Sequence, residues 1–435
     1  MIAVLSRFTG RRVMSVPPPR PTRFVNETED AMSALTVPPP RNGPGVAAAG
    51  TPPAPPAPVA FHYTQSDSFA AVLAELGSSL LITTYQANKL LVARAAGAGV
   101  SMLVRTFDRP MGLAVDRGRL ALGTRDQVWH FRNAPDIAPQ VEPAGAHDAC
   151  FLPRSSHVTG DIGVHELAWV GDELWVVNTR FSCLCTLRPD YSFVPRWRPP
   201  FVTALAAEDR CHLNGLALVD GRRKYVTALG ETDTAGGWRA NKPRGGCLME
   251  VSSGQVISRG LSMPHSPRWH DGRLWLLESG TGRLVLVDPA TGEREAVAEL
   301  PGFARGLAIH GRYAFVGLSK IRATSAMDGV PLAERRDELK CGVAVVDLPA
   351  GRVCAMLEFQ TAVKEIFDVQ LLGGVRFPEV MGFQKDTIHH TFIVPPEERS
   401  PPVADRSLLP QATAGAITSR DAATSCGRGG NMRSE

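Results

Sequence analysis

The 435-residue chain holds 41 glycines and 35 prolines, and only 21% of its residues are charged, a balance that suits many short strands and turns better than a helical fold. Its net charge of +4 resides in the ends, where residues 1–60 carry six arginines against three acids and residues 399–435 carry five against three. The segment between them is near neutral, which leaves no basis for nucleic-acid binding.

In chain order, the opening apolar run stops at Leu5, too short for a secretory signal, and nowhere do about 18 consecutive apolar residues suggest a membrane span. Residues 1–62 contain proline runs such as Pro17-Pro18-Pro19 and Pro38-Pro39-Pro40 mixed with alanine and glycine. Such a stretch cannot bury enough apolar surface to offset its ordering entropy, so a disordered arm is expected. Residues 397–435, rich in Ser, Ala, Thr and Gly, are expected to form a disordered tail. The eight cysteines form no CxxC pair, so they read as reduced thiols in a cytoplasmic protein with no membrane partner.

Between the ends, residues 63–396 repeat one pattern: an apolar strand, a tight Gly or Asp turn, then a second strand with aromatic residues. Copies begin at Met111-Gly-Leu-Ala, His165-Glu-Leu-Ala, Asn214-Gly-Leu-Ala, Ser266-Pro-Arg-Trp and Arg305-Gly-Leu-Ala, 39 to 54 residues apart. A sixth copy is split. Phe367-Asp-Val-Gln-Leu-Leu372 reads as a first strand with no successor, whereas Ser79–Thr83 and Lys89–Ala93 read as second and third strands lacking a first. Joining them closes an all-β, six-bladed propeller and removes the open ends of the ring. A two-sheet sandwich also uses short antiparallel strands, but it has no reason to repeat one local sequence six times. Trp169, Trp175, Trp269 and Trp275 fall on repeat strands and read as core. Residues 331–340, helix-forming and of mixed charge, read as a short helix in a solvated excursion.

The Asn-Gly-Leu-Ala repeats resemble the six-bladed propellers of the gluconolactonase and senescence-marker-protein group and the NHL repeats. Gly236-Gly-Trp-Arg-Ala-Asn-Lys-Pro-Arg-Gly-Gly246 and Ser262-Met-Pro-His-Ser-Pro-Arg-Trp269 more specifically resemble a bacterial family of conserved hypothetical proteins over about residues 65–395. This resemblance implies a propeller and no particular activity.

In propellers of this kind, first strands line the channel and their starts ring one mouth. The candidate binding residues there are His165, Glu166, His212, Asn214, His265, Ser266, Arg305 and Asp368. Resemblance to the lactonase group implies a divalent cation on Glu166, Asn214 and Asp368, with Asp368 or Glu166 as base of a metal-dependent hydrolase. Only Asn214 matches that group's motif; Glu166 and Asp368 match by place, and Arg305 and His265 depart from it. Beside the mouth, the insertion 232–246 brings Trp238, Arg239, Lys242 and Arg244 to a glycine-flanked loop suited to an anion. The leading expectation is a small polar molecule or peptide bound at the mouth. A scaffold engaging a protein partner through tails or outer faces is the third reading. GxGxxG, P-loop, GxSxG and HExxH spacings are absent, so the residues name no cofactor.

Overall fold

The computed structural model describes residues 61–394 apart from 117, 322–326 and 385, together with two short strands near the N-terminus. These strands, Ile2–Leu5 and Arg12–Ser15, pair with each other, and the second pairs with Thr391–Val394. The rest of the expected arm before residue 61 and the expected tail lie outside the described residues.

Six sheets follow one another around a ring, antiparallel throughout except where Pro378–Val380 adds in parallel to the outer strand Ala149–Val158 of one blade. Each begins with an innermost strand: Leu113–Val115, Val164–Val170, Leu213–Val219, Pro264–His270, Phe303–His310 and Asp368–Leu372. The last of these pairs with Ser79–Thr84, Asp368 opposite Thr83 and Leu372 opposite Ser79, and the sheet continues through Lys89–Ala96 to Gly99–Thr106. The ring therefore closes as the split repeat requires. The earliest strand of the domain, Tyr63–Gln65, joins a different blade, pairing with Arg352–Phe359. Helix Asp67–Glu75 connects it to the closing sheet and buries Phe69 and Leu73.

Several blade hairpins turn on two consecutive left-handed residues, as at Asp220-Gly221 and Asp271-Gly272. Asp-Gly tolerates that geometry, which matches the right-handed twist of the flanking strands. Apolar side chains then alternate into the seams between blades. Trp175 and Trp275 are buried there, whereas Trp169 and Trp269 are half-buried.

The starts of the innermost strands are irregular in a shared way. Pairing slips between Val164 and Leu167, Leu213 and Gly215, His265 and Arg268, and Ala304 and Leu307. Slips of this kind re-aim side chains that would otherwise alternate across the sheet. Neighbouring blades are also stapled by hydroxyls at the ends of second strands: Thr83 donates to the Met111 carbonyl at 2.7 Å, Thr179 to Leu213 at 2.6 Å, Ser279 to Ala304 at 2.5 Å and Ser319 to Ile366 at 3.2 Å.

Gly306 occupies one of these irregular starts with φ +79°, and a Cβ there would lie 2.6 Å from the Val369 backbone nitrogen of the next blade. Gly306→Ala is expected to cost about 1–3 kcal/mol or more, because left-handed strain and a backbone clash coincide. The midpoint of thermal unfolding checks this; an unchanged midpoint would show that the joint has slack.

Residues 331–340 differ from their expected solvated placement. Pro331–Glu338 forms a 3-10 segment broken at Arg335, and Leu332 and Ala333 are buried with Trp238, Met263, Phe303 and Met327. The two apolar residues among the charges are enough to dock it.

Candidate site at the channel mouth

A cavity of about 660 Å³ opens at one mouth of the ring and is lined by His165, His212, His265, Arg305, Trp238 and Phe367, among others. Three of the channel histidines meet here. The His165 ring stands 5.0 Å from that of His212, 5.9 Å from that of His265 and 4.9 Å from Phe367.

Hydrogen bonding fixes the proton on each histidine. Arg305 Nη2 lies 2.6 Å from His165 Nε2, and a guanidinium can only donate, so Nε2 must accept and Nδ1 must carry the proton. That Nδ1–H donates to Thr179 Oγ1 at 2.9 Å, and the Thr179 hydroxyl passes its own proton toward the Leu213 carbonyl. His265 repeats the arrangement: Nδ1–H faces the Met263 carbonyl and Ser279 Oγ, each at 3.0 Å, while Ser279 donates to Ala304. At His212 the acceptor is a carboxylate, Asp209, whose oxygens lie 2.9 and 3.0 Å from Nδ1. Burial, reinforced by the Arg305 charge, holds His165 and His265 well below the ordinary imidazole pKa. Both are neutral at physiological pH and present Nε2 as an acceptor.

Arg305 supplies the opposing character. Its guanidinium sits 3.5 Å over the Phe367 ring. Burial pulls its pKa down to about 10, so it stays cationic at neutral pH, and its Nε has no hydrogen-bond partner. Two other arginines at the rim are matched by acids: Arg180 pairs with Asp161 at 3.0 Å, and Arg239 approaches Asp209 at 3.3 Å. Four lining residues, Arg109, Asp209, His212 and Met263, hold left-handed backbone, and such strain in non-glycine residues gathers at functional sites.

The candidate residues thus divide. Glu166, Asn214, Ser266 and Asp368 do not line this cavity; they are buried and engaged between blades. Asp368 accepts the Leu113 and Val369 amides, and Glu166 accepts the Leu216 amide and pairs with Arg268. Asn214 donates to the Pro264 carbonyl and accepts from Thr227, and Ser266 accepts the Gly306 amide. The three residues read as a cation set, Glu166, Asn214 and Asp368, are thus engaged with backbone amides, a threonine hydroxyl and a guanidinium away from this cavity. Neither Asp368 nor Glu166 faces the cavity as a base.

The 232–246 insertion reaches the site through two residues. Trp238, 2% exposed, donates its indole N–H to Asp209 at 2.9 Å and lies 4.4 Å from the His212 ring. The Arg239 guanidinium also lies over that indole, 4.3 Å from its centre. Lys242 is directed to the Asp328 carbonyl and Arg244 is exposed, and neither lines the cavity. Sequence reasoning passed over Asp209, Thr179 and Phe367. Asp209 stands only three residues before His212, a spacing that could have revealed the pair.

Fold and site together define a six-bladed β-propeller with a histidine- and arginine-lined pocket at one mouth. Residues 67–381 match the family described as a domain of unknown function, DUF4915, and the chain belongs to that family. No curated protein matches. Among solved structures, a chain of the nidogen/laminin complex is similar at 11% identity and TM-score 0.46, covering 68% of this chain and 99% of its own. A protein of unknown function from Bacteroides caccae is similar at 8% identity and TM-score 0.43, covering 68% and 98%.

Proposed function

We propose that the mouth cavity binds a small polar molecule carrying a carboxylate together with hydroxyl or amine donors. The observation that carries this reading is Arg305, a cationic guanidinium lining the cavity, set beside His265, a neutral imidazole for whose Nε2 no hydrogen bond is found among the described residues. A planar guanidinium matches a carboxylate, while imidazole lone pairs take protons offered by hydroxyls or amines. Phe303, Phe367 and Trp238 supply apolar walls, and about 660 Å³ falls within the range of small-molecule pockets. A cytoplasmic setting suits the cysteines among the described residues, seven free thiols of which six are buried. No helix among the described residues is long and apolar enough to cross a membrane.

Thermal unfolding in the presence of a panel of hydroxy- and amino-carboxylates, each compared with its methyl ester, tests the reading. Acids are expected to raise the midpoint and esters to do so weakly. Arg305→Gln is expected to weaken binding about 10- to 100-fold, the equivalent of a charged hydrogen bond. Equal stabilisation by acid and ester, or an undiminished response in Arg305→Gln, would refute it.

A further inference from the structure

His212 differs from the other two channel histidines in what holds it. Its Nδ1 faces a carboxylate, and no hydrogen bond of its Nε2 is found among the described residues, although the ring lines the cavity. Asp209 is itself fixed, receiving the Trp238 indole N–H at 2.9 Å and an Arg239 N–H at 3.3 Å, with its own amide on the Arg180 carbonyl at 2.8 Å. Both members of the pair sit in left-handed backbone, φ 49° and 51°, and Trp238 lies against the His212 ring. A carboxylate on Nδ1 selects the tautomer whose Nε2 can take a proton and stabilises the imidazolium that results. Arg305 lines the same cavity and contacts His165, whose ring lies 5.0 Å from that of His212, so its cationic guanidinium can meet a developing oxyanion.

We infer that the Asp209–His212 pair is a general-base dyad that activates water for hydrolysis of a carboxylic ester bound in the mouth cavity. Water gives its proton to His212 Nε2 while its oxygen bonds to the ester carbonyl carbon, and the carbonyl π pair moves to oxygen facing Arg305. The tetrahedral adduct re-forms the carbonyl and breaks the bond to the alkoxy oxygen, which receives the proton back from His212. No oxidant, metal or further reactant enters the balance. Asp209 touches no reacting atom and is a positioning residue.

This inference rests on the same cavity as the binding reading, so the test separates the two. Mono-p-nitrophenyl succinate, an anionic ester, serves as hydrolysis probe and succinate as binding probe. Wild type is expected to release p-nitrophenol above the buffer rate, and His212→Gln to lower that excess about 100-fold, the modest end of general-base contributions. Asp209→Asn should lower kcat about 10-fold with KM little changed, because geometry survives while the tautomer does not. Both variants should still be stabilised by succinate, which excludes simple misfolding. Absence of wild-type hydrolysis, or undiminished hydrolysis in His212→Gln, would overturn the dyad even where succinate binding stands. Carbethoxylation mapped by mass spectrometry adds a substrate-free readout: His212 should react faster than His165, whose Nε2 is occupied, and the reverse order would also overturn the assignment.

Discussion

Deleting residues 76–95 is expected to abolish cooperative folding of the propeller. The segment contains Ser79–Thr84 and most of Lys89–Ala96, the only partners of Asp368–Leu372 and Gly99–Thr106 in the closing sheet. It also carries Leu80, Leu81, Ile82, Leu90, Leu91 and Val92, all wholly buried and divided between two core clusters on either side of that sheet. At about 1.5–3 kcal/mol for each buried side chain, their loss matches or exceeds the roughly 5–15 kcal/mol by which domains are ordinarily stable. Thermal and urea unfolding followed by circular dichroism check the result. A sharp transition with native near-ultraviolet signal would show that the ring holds without this closure.

The second large effect concerns Arg268, whose guanidinium pairs with Glu166 and donates to the Leu307 carbonyl. Arg268→Met would leave a carboxylate buried without its counter-charge, at an expected cost of about 3–5 kcal/mol near pH 8. Glu166→Gln in the same chain should restore most of it. Burial pushes Glu166 from its ordinary 4.5 up to about 7 against the pull of Arg268, and Asp368 from 3.8 up to about 6. Because both folded-state values are raised, the folded chain holds these protons more firmly than the unfolded one. Their favourable contribution is complete below about pH 4 and fades as pH rises through 6 and 7. Urea unfolding at pH 5 and pH 8 should therefore show a fall with pH that is steeper in Arg268→Met and shallower in Glu166→Gln. Arg268→Met as stable as wild type at pH 8 would refute the clamp.

The blades and their closure were legible because each seam demands the same apolar alternation, so the physics of one blade is written several times over. Even the split repeat was visible, since Phe367–Leu372 and Ser79–Thr83 each lacked a partner that the other supplied. The site was legible only in part. His165, His212, His265 and Arg305 converge as their places in the repeat suggested, but adjacent positions such as His165 and Glu166 serve different surfaces. That division depends on the local slip in strand pairing, which period-two reasoning has no means of placing. Asp209 escaped for another reason: it lies on a connection outside the repeat, and no periodicity predicts its approach. Leu332 and Ala333 were masked by the charged residues around them, whose composition favoured solvent.

The division of the closing sheet between the two ends of the chain also sets a timetable for synthesis. Strands Ser79–Thr84, Lys89–Ala96 and Gly99–Thr106 are made early, yet their innermost companion begins only at Asp368, 284 residues after Thr84. At about 5–20 residues per second a ribosome needs roughly 15–60 s to bridge that interval. Throughout it, Ser79–Thr84 displays an unpaired edge on a strand that is wholly buried in the finished protein. A nascent chain in this condition offers a ready surface for another strand or for a chaperone. The last innermost strand to emerge thus both completes the ring and withdraws the first-made sheet from competition.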